Sequence, residues 1–414
     1  MTESNPLKFA VLQPGARLHY AVPAILERAG MLQWFYTDFC ANVGLARFAE
    51  HVWPVHLRPP FARRMLGRIL PSNLTAANVR QVSGAVIASH IAGKIGLKAI
   101  AGSISDAVLK RARNDKLGGA NAIYTVIVND DIQLCEEAKA RGCRIVHEAM
   151  LNPDIGWHLA EEYQRFPEIP WTIPSLIQIE DGRTRDQRKY EIADLILVPS
   201  EFVYRSVIAL GADPEKVEIV PYGVDASWLD THPQPVPGRV LFVGIVGLLK
   251  GNHYLAAAAR ILRQRKVACE IRVVGPVTKA QKGDPLLEGP NYVGQVPRAS
   301  VQGEFLAADV FVLPTLSDGF ALAHLEALAC AVPVITTPNC GSVVRDGIDG
   351  AIVPIRDPVA LADAIERILA NPDLRQRMSQ SARDRAREYT WEKYGERLIR
   401  ACSKLEPSSV AKLP

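Results

Sequence analysis

The sequence lacks several features that would assign it to a class at once. Its seven cysteines form no CxxC pair and no cluster with histidine at zinc-ligand spacing, which fits a reduced, cytosolic chain. No apolar run reaches the roughly 18 residues that suggest a membrane-spanning helix. The first residues are polar and show no charged and apolar regions of a secretory signal. We therefore expect a cytoplasmic protein that contacts the inner membrane face at most peripherally.

A strong charge of one sign is also missing. The chain has 48 lysines and arginines and 44 acidic residues, which leaves a net charge of +4. This small excess suits an anionic small ligand but not the basic stripe of a nucleic-acid-binding protein, so no nucleic acid is expected as a partner. The chain is long enough for more than one domain, because 414 residues exceed the size at which a single hydrophobic core usually stops growing. Two domains are expected.

Short runs rich in Val, Ile and Leu alternate with longer helix-like segments, a pattern typical of βα units on a parallel sheet. In the first half, strands are predicted at Leu7–Leu12, Ala122–Val128, Arg144–His147 and Leu195–Val198. In the second half, strands are predicted at Arg239–Val243, Glu270–Val274, Asn291–Val293, Val310–Pro314 and Val332–Thr336. Each half thus predicts a doubly wound sheet.

A proline-rich stretch, Thr231–Gly238, separates the two series, since it can continue neither a helix nor a central strand. We predict an N-terminal domain over 1–232 and a C-terminal domain over 238–388. The fold class is α/β, with two Rossmann-like doubly wound domains that face each other across a cleft.

The spacing of apolar residues predicts further helices. Leu361–Leu369 and Arg375–Leu405 are strongly helical in pattern, and the part at about 390–405 is expected to pack back on the first domain. The segment Val52–Leu70 is basic and, as a helix, amphipathic. It suits either an anionic bilayer, which would give peripheral membrane contact through 61–70, or packing on its own sheet, which is the favoured interpretation.

The most informative stretch is Leu313–Ile335, where a buried strand ends in a turn at Gly319 and opens into a helix. Free backbone N–H groups, which would form an anion site, are expected at Phe320, Ala321 and Leu322. Asp318 lies at the turn, and Glu326 follows about two helical turns later. Each acid alone has an ordinary explanation, as a helix cap or as part of a solvated helix face. Together with the flanking strands, they predict two carboxylates that face one ligand.

A second signal is the loop Gly244–Gly251, which follows the predicted strand Arg239–Val243. Its glycines let the backbone approach a phosphate, to which Lys250 supplies a compact positive charge. The order of glycine, lysine and hydroxyl residue does not match a Walker A loop. Without this loop, Lys250 would be read as an ordinary surface lysine.

The first half offers weaker candidates. His147 ends a short apolar strand, where open α/β sheets place ligand contacts, although a lone histidine is more often a core or surface residue. Glu148 beside it is weaker still. Ser200 is expected only to cap a helix. The run Asn129–Asp131 resembles a metal-binding run but has no partner ligands in sight, so no metal is expected.

These motifs resemble those of the family 4 retaining glycosyltransferases of the GT-B fold. The acid pair with seven intervening residues matches the family, with Asp318 in place of the usual glutamate. The resemblance implies that Asp318 binds donor sugar hydroxyls and that Glu326 holds the nucleotide ribose. Lys250 matches the lysine of the family's phosphate loop, whereas Ile245 stands where the family has arginine. The resemblance covers most of the chain and is closest from Ala193 to about Tyr389. It implies that the N-terminal domain binds the acceptor and that the C-terminal domain binds the nucleotide sugar.

The same resemblance implies a set of site residues. His147 stands where a family histidine reaches the donor sugar, and Val296 lies where the backbone meets the base. Gly15 either lies near the acceptor and the phosphates or only makes a turn. The implied catalytic residues are Lys250, Asp318, Glu326 and His147. The implied donor-binding residues are Gly15, Gly244, Lys250, Val296, Asp318, Gly319, Phe320, Ala321, Leu322 and Glu326.

The resemblance implies a retaining hexosyltransferase that takes a nucleoside-diphosphate sugar and passes the sugar to a glycan, lipid-linked or small-molecule acceptor. Neither a metal nor a cofactor is expected. Two alternatives stay open. One is a nucleotide-sugar epimerase on the same architecture. The other is a non-catalytic nucleotide-sugar-binding protein, which the departures at Asp318 and Ile245 motivate.

Overall fold

The computed structural model describes residues 6–43, 58, 62, 65–84, 86, 104–126, 128, 130–167, 175–278, 281 and 283–405. Within them the chain forms two parallel β-sheets, one in each half. The strands are short and mostly buried, since a parallel sheet covered on both faces requires continuous apolar runs.

The strand bounds place one sheet in each half of the sequence. The first sheet contains β1 Phe9–Leu12, β2 Leu32–Thr37, β3 Val79–Gln81, β4 Ala122–Val126, β5 Arg144–Glu148, β6 Leu195–Val198 and β7 Val217–Ile219. The second contains β8 Arg239–Val243, β9 Glu270–Val274, β10 Asn291–Gly294, β11 Val310–Val312, β12 Val334–Thr336 and β13 Gly350–Ile352. Their orders are β3-β2-β1-β4-β5-β6-β7 and β10-β9-β8-β11-β12-β13. Both orders are doubly wound and Rossmann-like, which confirms the predicted fold class.

Helices connect most of these strands. In the first half they are α1 Ala21–Arg28, α2 Ile104–Asn114, α3 Ile132–Ala140, α4 Ile155–Arg165, α5 Leu176–Ile192 and α6 Glu201–Ala209. In the second half they are α7 Asn252–Gln264, α8 Arg298–Leu306, α9 Leu322–Ala329, α10 Pro358–Leu369, α11 Pro372–Arg387 and α12 Trp391–Ser403.

The C-terminal helical region differs from the single run predicted over Arg375–Leu405. It is divided at Thr390, whose side chain caps α12. The backbone there pairs with the segment that follows β7, because Val224 N–H donates to the Tyr389 carbonyl at 2.9 Å and Trp391 N–H donates to the Val224 carbonyl at 3.2 Å. The helix α12 then packs against α1 of the first half.

The predicted linker Thr231–Gly238 runs along the second half. Gln234 N–H donates to the carbonyl of Leu306 at 2.8 Å, which fixes the linker to the end of α8. In the sequence, the strands of the first sheet precede this linker and those of the second sheet follow it. The domain limits 1–232 and 238–388 stay a prediction.

Part of the amphipathic segment 61–70 lies outside the described residues. Its described side chains Met65, Leu66 and Leu70 are buried, whereas Ile69 is half exposed. Packing therefore occupies part of the apolar side, and membrane contact through this segment stays a prediction. Among the helices that the structure describes, none combines the length and the apolar character needed to cross a bilayer.

The strand orders define where ligands are expected. In each sheet the order reverses beside the first strand, between β1 and β4 and between β8 and β11. Open α/β sheets bind ligands at the carboxyl ends of the strands at this switch point. The loops after β8 and β11 carry Lys250 and Asp318, so the strand order brings together two residues that are 68 positions apart.

Backbone contacts fasten these two loops to each other. The Leu249 carbonyl accepts hydrogen bonds from the Leu316 N–H at 2.8 Å and from the Thr315 hydroxyl at 2.6 Å. Gly251 has a φ of +69°, and a Cβ there would collide with the Pro314 carbonyl. Glycine is thus required at this position both for its backbone conformation and for the close approach of the β11 loop.

We predict that Gly251→Ala destabilises the protein more than Gly142→Ala does. Gly142 also has a positive φ, +85°, but open space surrounds it. Gly142→Ala should cost about 1 to 2 kcal/mol for the left-handed conformation alone. Gly251→Ala should cost at least about 1 kcal/mol more, because the loop must move away from the clash. Urea unfolding of both variants checks this, and equal losses would contradict it.

Candidate active site

The Lys250 ammonium and the Asp318 carboxylate form an ion pair at the switch point of the second sheet. The side chain of Lys250 is 31% exposed and that of Asp318 is 14% exposed. The pair therefore meets solvent while it is partly shielded, and electrostatic interactions gain strength in such surroundings. The structure brings together these two sequence-predicted site residues.

The loop after β12 braces the Asp318 turn. Asp318 N–H donates to the Asn339 carbonyl at 3.0 Å, and Gly341 N–H donates to the Asp318 carbonyl at 2.7 Å. Ala321 N–H donates to the Gly341 carbonyl at 3.0 Å, so the expectation of a free amide at Ala321 is wrong. Helix α9 begins at Leu322 with no side-chain cap from any described residue. His324 N–H donates to the Ala321 carbonyl at 2.9 Å, so the amides available to an anion are those of the first two residues, Leu322 and Ala323.

Glu326 lies in the second turn of α9 and lines a cavity of about 390 Å³. Leu322 at the start of the same helix also lines it, as do His19 and Trp391 from elements outside the second sheet. Arg298 of α8 donates to the Glu326 carboxylate at 2.8 Å. Burial raises the pKa of Glu326, and Arg298 counteracts this only in part. The second predicted acid thus faces an opening beside the start of α9.

The turn at Gly319 touches the first half of the chain. A Cβ at Gly319 would collide with the Met150 carbonyl, and the Ser200 hydroxyl donates to the Gly319 carbonyl at 2.8 Å. Ser200 also accepts from the Val203 N–H and caps α6, which confirms the prediction of a cap. Its second contact joins the halves, and the capping pattern gives no sign of it. Phe320, the next residue, packs edge-on against the Tyr222 ring.

A buried ion pair lies on the other side of Tyr222. Arg17 Nη1 lies 2.5 Å from the Glu148 carboxylate, and the hydroxyls of Tyr124 and Tyr222 donate to it at 2.7 Å and 2.6 Å. Burial alone would raise the pKa of Glu148, but Arg17 and the two hydroxyls outweigh burial and hold the pKa below its ordinary value. Glu148, the weaker sequence candidate, is therefore the charged residue at the end of β5.

His147 lies apart from these groups. Successive residues of a strand point to opposite faces of the sheet, and His147 points away from the Glu148 side. Its side chain is fully buried, and burial lowers its pKa to about 4. The structure therefore does not place His147 with Lys250 and Asp318. Its catalytic role stays a prediction without geometric support.

Three buried side chains around His147 carry potential metal-ligand atoms. Asp131, Cys135 and His147 each offer a ligand atom, and these atoms lie within 4.8 Å of one another. The buried Lys189 ammonium lies 2.7 Å from the Asp131 carboxylate and balances its charge. A divalent cation would add a second positive charge beside it, so the residues fit a metal poorly. Asn129 of the predicted acidic run lies outside the described residues.

The remaining predicted donor-binding positions lie at loop backbones. Gly15 has a φ of +81° and donates its N–H to Asp38 at 2.9 Å, so it makes the turn after β1. Gly244 follows β8, and Val296 follows β10 and packs partly against the core. Ile245, at the position of the family's arginine, is 65% exposed. Contacts of these positions with a donor stay predictions.

Two facing Rossmann-like sheets with polar groups at their switch points define the GT-B class of proteins. Among solved structures, sucrose-phosphate synthase from Thermosynechococcus elongatus superposes with a TM-score of 0.64 at 17% identity, over 97% of this chain and 99% of that one. Anabaena Alr3699/HepE in complex with UDP and glucose gives a TM-score of 0.61 at 14% identity, over 96% of this chain and 100% of that one. These likenesses show the GT-B fold.

Residues 237–371 match the family described as glycosyl transferases group 1. D-inositol 3-phosphate glycosyltransferase of Kribbella flavida is 28% identical over 236 residues, which are 50% of this chain and 55% of that protein. The chain spans about half the length of the curated relatives it matches. Residues 237–371 are thus similar to the group 1 glycosyltransferases, and the whole chain shares the GT-B fold with the solved structures named above.

We predict that Glu148→Gln lowers the free energy of unfolding at pH 7 by about 3 kcal/mol, because Arg17 would stay buried without its counter-charge. The pKa of Glu148 is lowered on folding, so its contribution exists above the unfolded-state pKa and is lost as pH falls through the folded value. The difference between wild type and variant should therefore shrink in acid. Urea unfolding over a pH series measures it.

The exposed Glu396 provides a matched control for this experiment. It pairs with Lys393 on the surface of α12, so Glu396→Gln should change stability by less than about 1 kcal/mol at any pH. A Glu148→Gln deficit that equals the control, or that persists undiminished in acid, would contradict the assigned ion pair.

Proposed function

We propose that this protein is a retaining glycosyltransferase that moves a hexosyl group from a nucleoside-diphosphate sugar to an acceptor hydroxyl. The observation that carries the proposal is the meeting of Lys250 and Asp318 at the uncapped start of α9, whose second turn presents Glu326 to a cavity. The match of residues 237–371 to the group 1 glycosyltransferases supports the same reaction.

In this proposal the donor diphosphate lies between Lys250 and the first amides of α9. The ammonium and the helix N-terminus both stabilise negative charge, which grows on the diphosphate as it leaves. Asp318 holds Lys250 in the ligand-free protein. When the diphosphate replaces Asp318 as the partner of the Lys250 ammonium, the Asp318 carboxylate becomes free to accept hydrogen bonds from the sugar hydroxyls.

Glu326 would bind the ribose of the donor. Its carboxylate is largely buried, and a buried carboxylate gains from hydroxyl donors that replace lost water. Arg298, whose side chain is 63% exposed, can move from the carboxylate when a nucleotide enters the cavity. Leu322 and Glu326 would then lie along one side of the nucleotide.

The chemical step breaks the bond between the anomeric carbon and the diphosphate oxygen. A bond from the same carbon to the acceptor oxygen forms on the same face of the sugar, and the acceptor proton leaves with the diphosphate. Positioning and charge stabilisation supply the rate enhancement. The residues assigned to the diphosphate are Lys250 and the start of α9, so we propose that no metal takes part.

The relatives suggest the substrate classes. We propose a UDP-sugar donor, because the GT-B protein Alr3699/HepE was solved with UDP and glucose. The curated relatives are named for D-inositol 3-phosphate, a small molecule, and the proposed acceptors are a glycan, a lipid-linked sugar or a small molecule. A cytoplasmic location, with peripheral membrane contact through 61–70, is part of this proposal.

We predict that Lys250→Ala lowers kcat by about 100-fold or more, because one preorganised positive group is lost from the leaving-group site. Glu326→Ala should mainly raise KM for the donor, by about tenfold or more, because a hydrogen bond to a charged group is lost. Release of nucleoside diphosphate measures both. Addition of EDTA should leave the wild-type rate unchanged.

The exposed Lys393 of α12 serves as the control, and Lys393→Ala should retain the wild-type rate. If Lys250→Ala and Glu326→Ala also retain it, the assigned roles are wrong. If wild-type protein binds the nucleotide but releases no diphosphate with any acceptor of a broad panel, the chain is a binding protein and the proposed reaction is wrong.

We predict that UDP-sugars raise the melting temperature more than GDP- or ADP-sugars do. A ligand present at 100 times its Kd stabilises the folded protein by about 2.7 kcal/mol. Thermal-shift measurements with the three nucleotide classes decide the donor base. The Glu326→Ala variant should show a smaller increase in melting temperature than wild type. An equal increase would contradict the proposal that Glu326 binds the ribose.

A further inference from the structure

The two halves share a second polar contact, centred on Glu162 of helix α4. One carboxylate oxygen of Glu162 accepts the Tyr254 hydroxyl at 2.6 Å and lies 2.8 Å from His253 Nε2. The other oxygen accepts from Arg356 Nε at 2.8 Å. Glu162 belongs to the first half of the chain, and its three partners all belong to the second.

This contact is unlike an ordinary surface ion pair. The Glu162 side chain is fully buried, whereas that of the neighbouring Glu161 is 56% exposed. Burial alone would raise the pKa of Glu162, but His253, Tyr254 and Arg356 together lower it to about 2. Removal of one member of such a buried cluster leaves its partners without compensation. The halves are therefore joined here by a carboxylate that stays charged at neutral pH.

The partners of Glu162 continue directly from the Lys250 loop. Lys250 ends the 3₁₀ turn Leu248–Lys250, Gly251 joins this turn to α7, and His253 and Tyr254 lie in the first turn of α7. Helix α4 also packs against the 3₁₀ turn itself. A shift of α7 relative to the first half would thus carry the Lys250 ammonium with it.

The surroundings of Glu162 hold its partners in place. The Phe166 ring packs edge-on against the His253 ring at a centroid distance of 4.9 Å. Arg356 adopts a left-handed φ of +61°, which a residue with a side chain rarely does, and it also contacts Glu161 at 2.9 Å. Such backbone strain persists only where surrounding contacts determine the conformation.

We propose that Glu162 is a positioning residue for Lys250. It fixes α7, and through Gly251 the lysine ammonium, relative to the first half, where the acceptor is expected to bind. Glu162 touches none of the proposed reacting groups, so it acts only through these contacts. This inference rests on the proposed function, in which Lys250 meets the donor diphosphate.

The test compares Glu162→Ala and Glu162→Gln with the control Glu161→Gln. The control changes the adjacent, exposed carboxylate of the same helix, which makes one hydrogen bond to Arg356. For each variant we would measure kcat and KM with the UDP-sugar, the affinity for UDP by calorimetry, and the radius of gyration without ligand by small-angle X-ray scattering. Circular dichroism checks that each variant is folded.

Glu162→Ala should lower kcat by about 10- to 100-fold, since a misplacement of about 1 Å can cost that much. UDP affinity should change by less than about threefold, because the groups proposed to hold the diphosphate and the ribose, which are Lys250, the start of α9 and Glu326, all lie in the second half. The radius of gyration should increase as the halves separate. Glu162→Gln should fall between wild type and Glu162→Ala, and Glu161→Gln should match wild type.

A Glu162→Ala variant with wild-type kcat and an unchanged radius of gyration would overturn the inference, even if its melting temperature falls. If that variant does not fold, Tyr254→Phe removes a single donor to Glu162 and should lower kcat in the same direction by a smaller factor. If wild-type protein transfers no sugar, the proposed function fails instead. The radius of gyration from small-angle X-ray scattering then tests whether Glu162 fixes the two halves. An unchanged radius of gyration in the Glu162 variants would overturn the inference.

Discussion

The contact between the loops after β8 and β11 is the constraint on which the site depends. The Leu249 carbonyl receives two donors from the β11 loop, and Gly251 lets that loop approach closely. These bonds place Lys250 beside Asp318 although three of the six strands of the second sheet lie between them in the sequence. The ion pair is therefore a consequence of strand order and backbone packing, and the side chains then supply the chemistry.

The first half reaches this site through a few contacts. The Ser200 hydroxyl binds the carbonyl of Gly319, the Tyr222 ring meets Phe320, and Glu162 binds the start of α7. Each contact touches a segment that also holds a proposed donor-binding residue. The contacts that join the halves would therefore also set the position of an acceptor bound by the first half relative to the donor.

The sequence predicts the parts of this structure that have a local signature. Buried parallel strands appear as continuous apolar runs, and the acid pair and the lysine loop are local motifs, so these were predictable. Of the strands that were not predicted, β3, β7 and β13 have three residues each, too few to show a period, whereas β2 has six. His147 was correctly predicted to lie on β5. The sequence did not indicate which face of the sheet it occupies, because a continuous apolar run does not distinguish the two faces. The contacts of Glu162 and the second contact of Ser200 join segments that are far apart in the sequence. No local sequence pattern predicts such contacts.

The central claim is that Lys250, the start of α9 and Glu326 surround a nucleoside diphosphate. A crystal structure of the protein with UDP tests it most directly. We expect the Lys250 ammonium within about 3 Å of a diphosphate oxygen, its pair with Asp318 broken, and the Glu326 carboxylate at the ribose hydroxyls. UDP bound elsewhere, with Lys250 still paired to Asp318 and Glu326 still paired to Arg298, would contradict the claim.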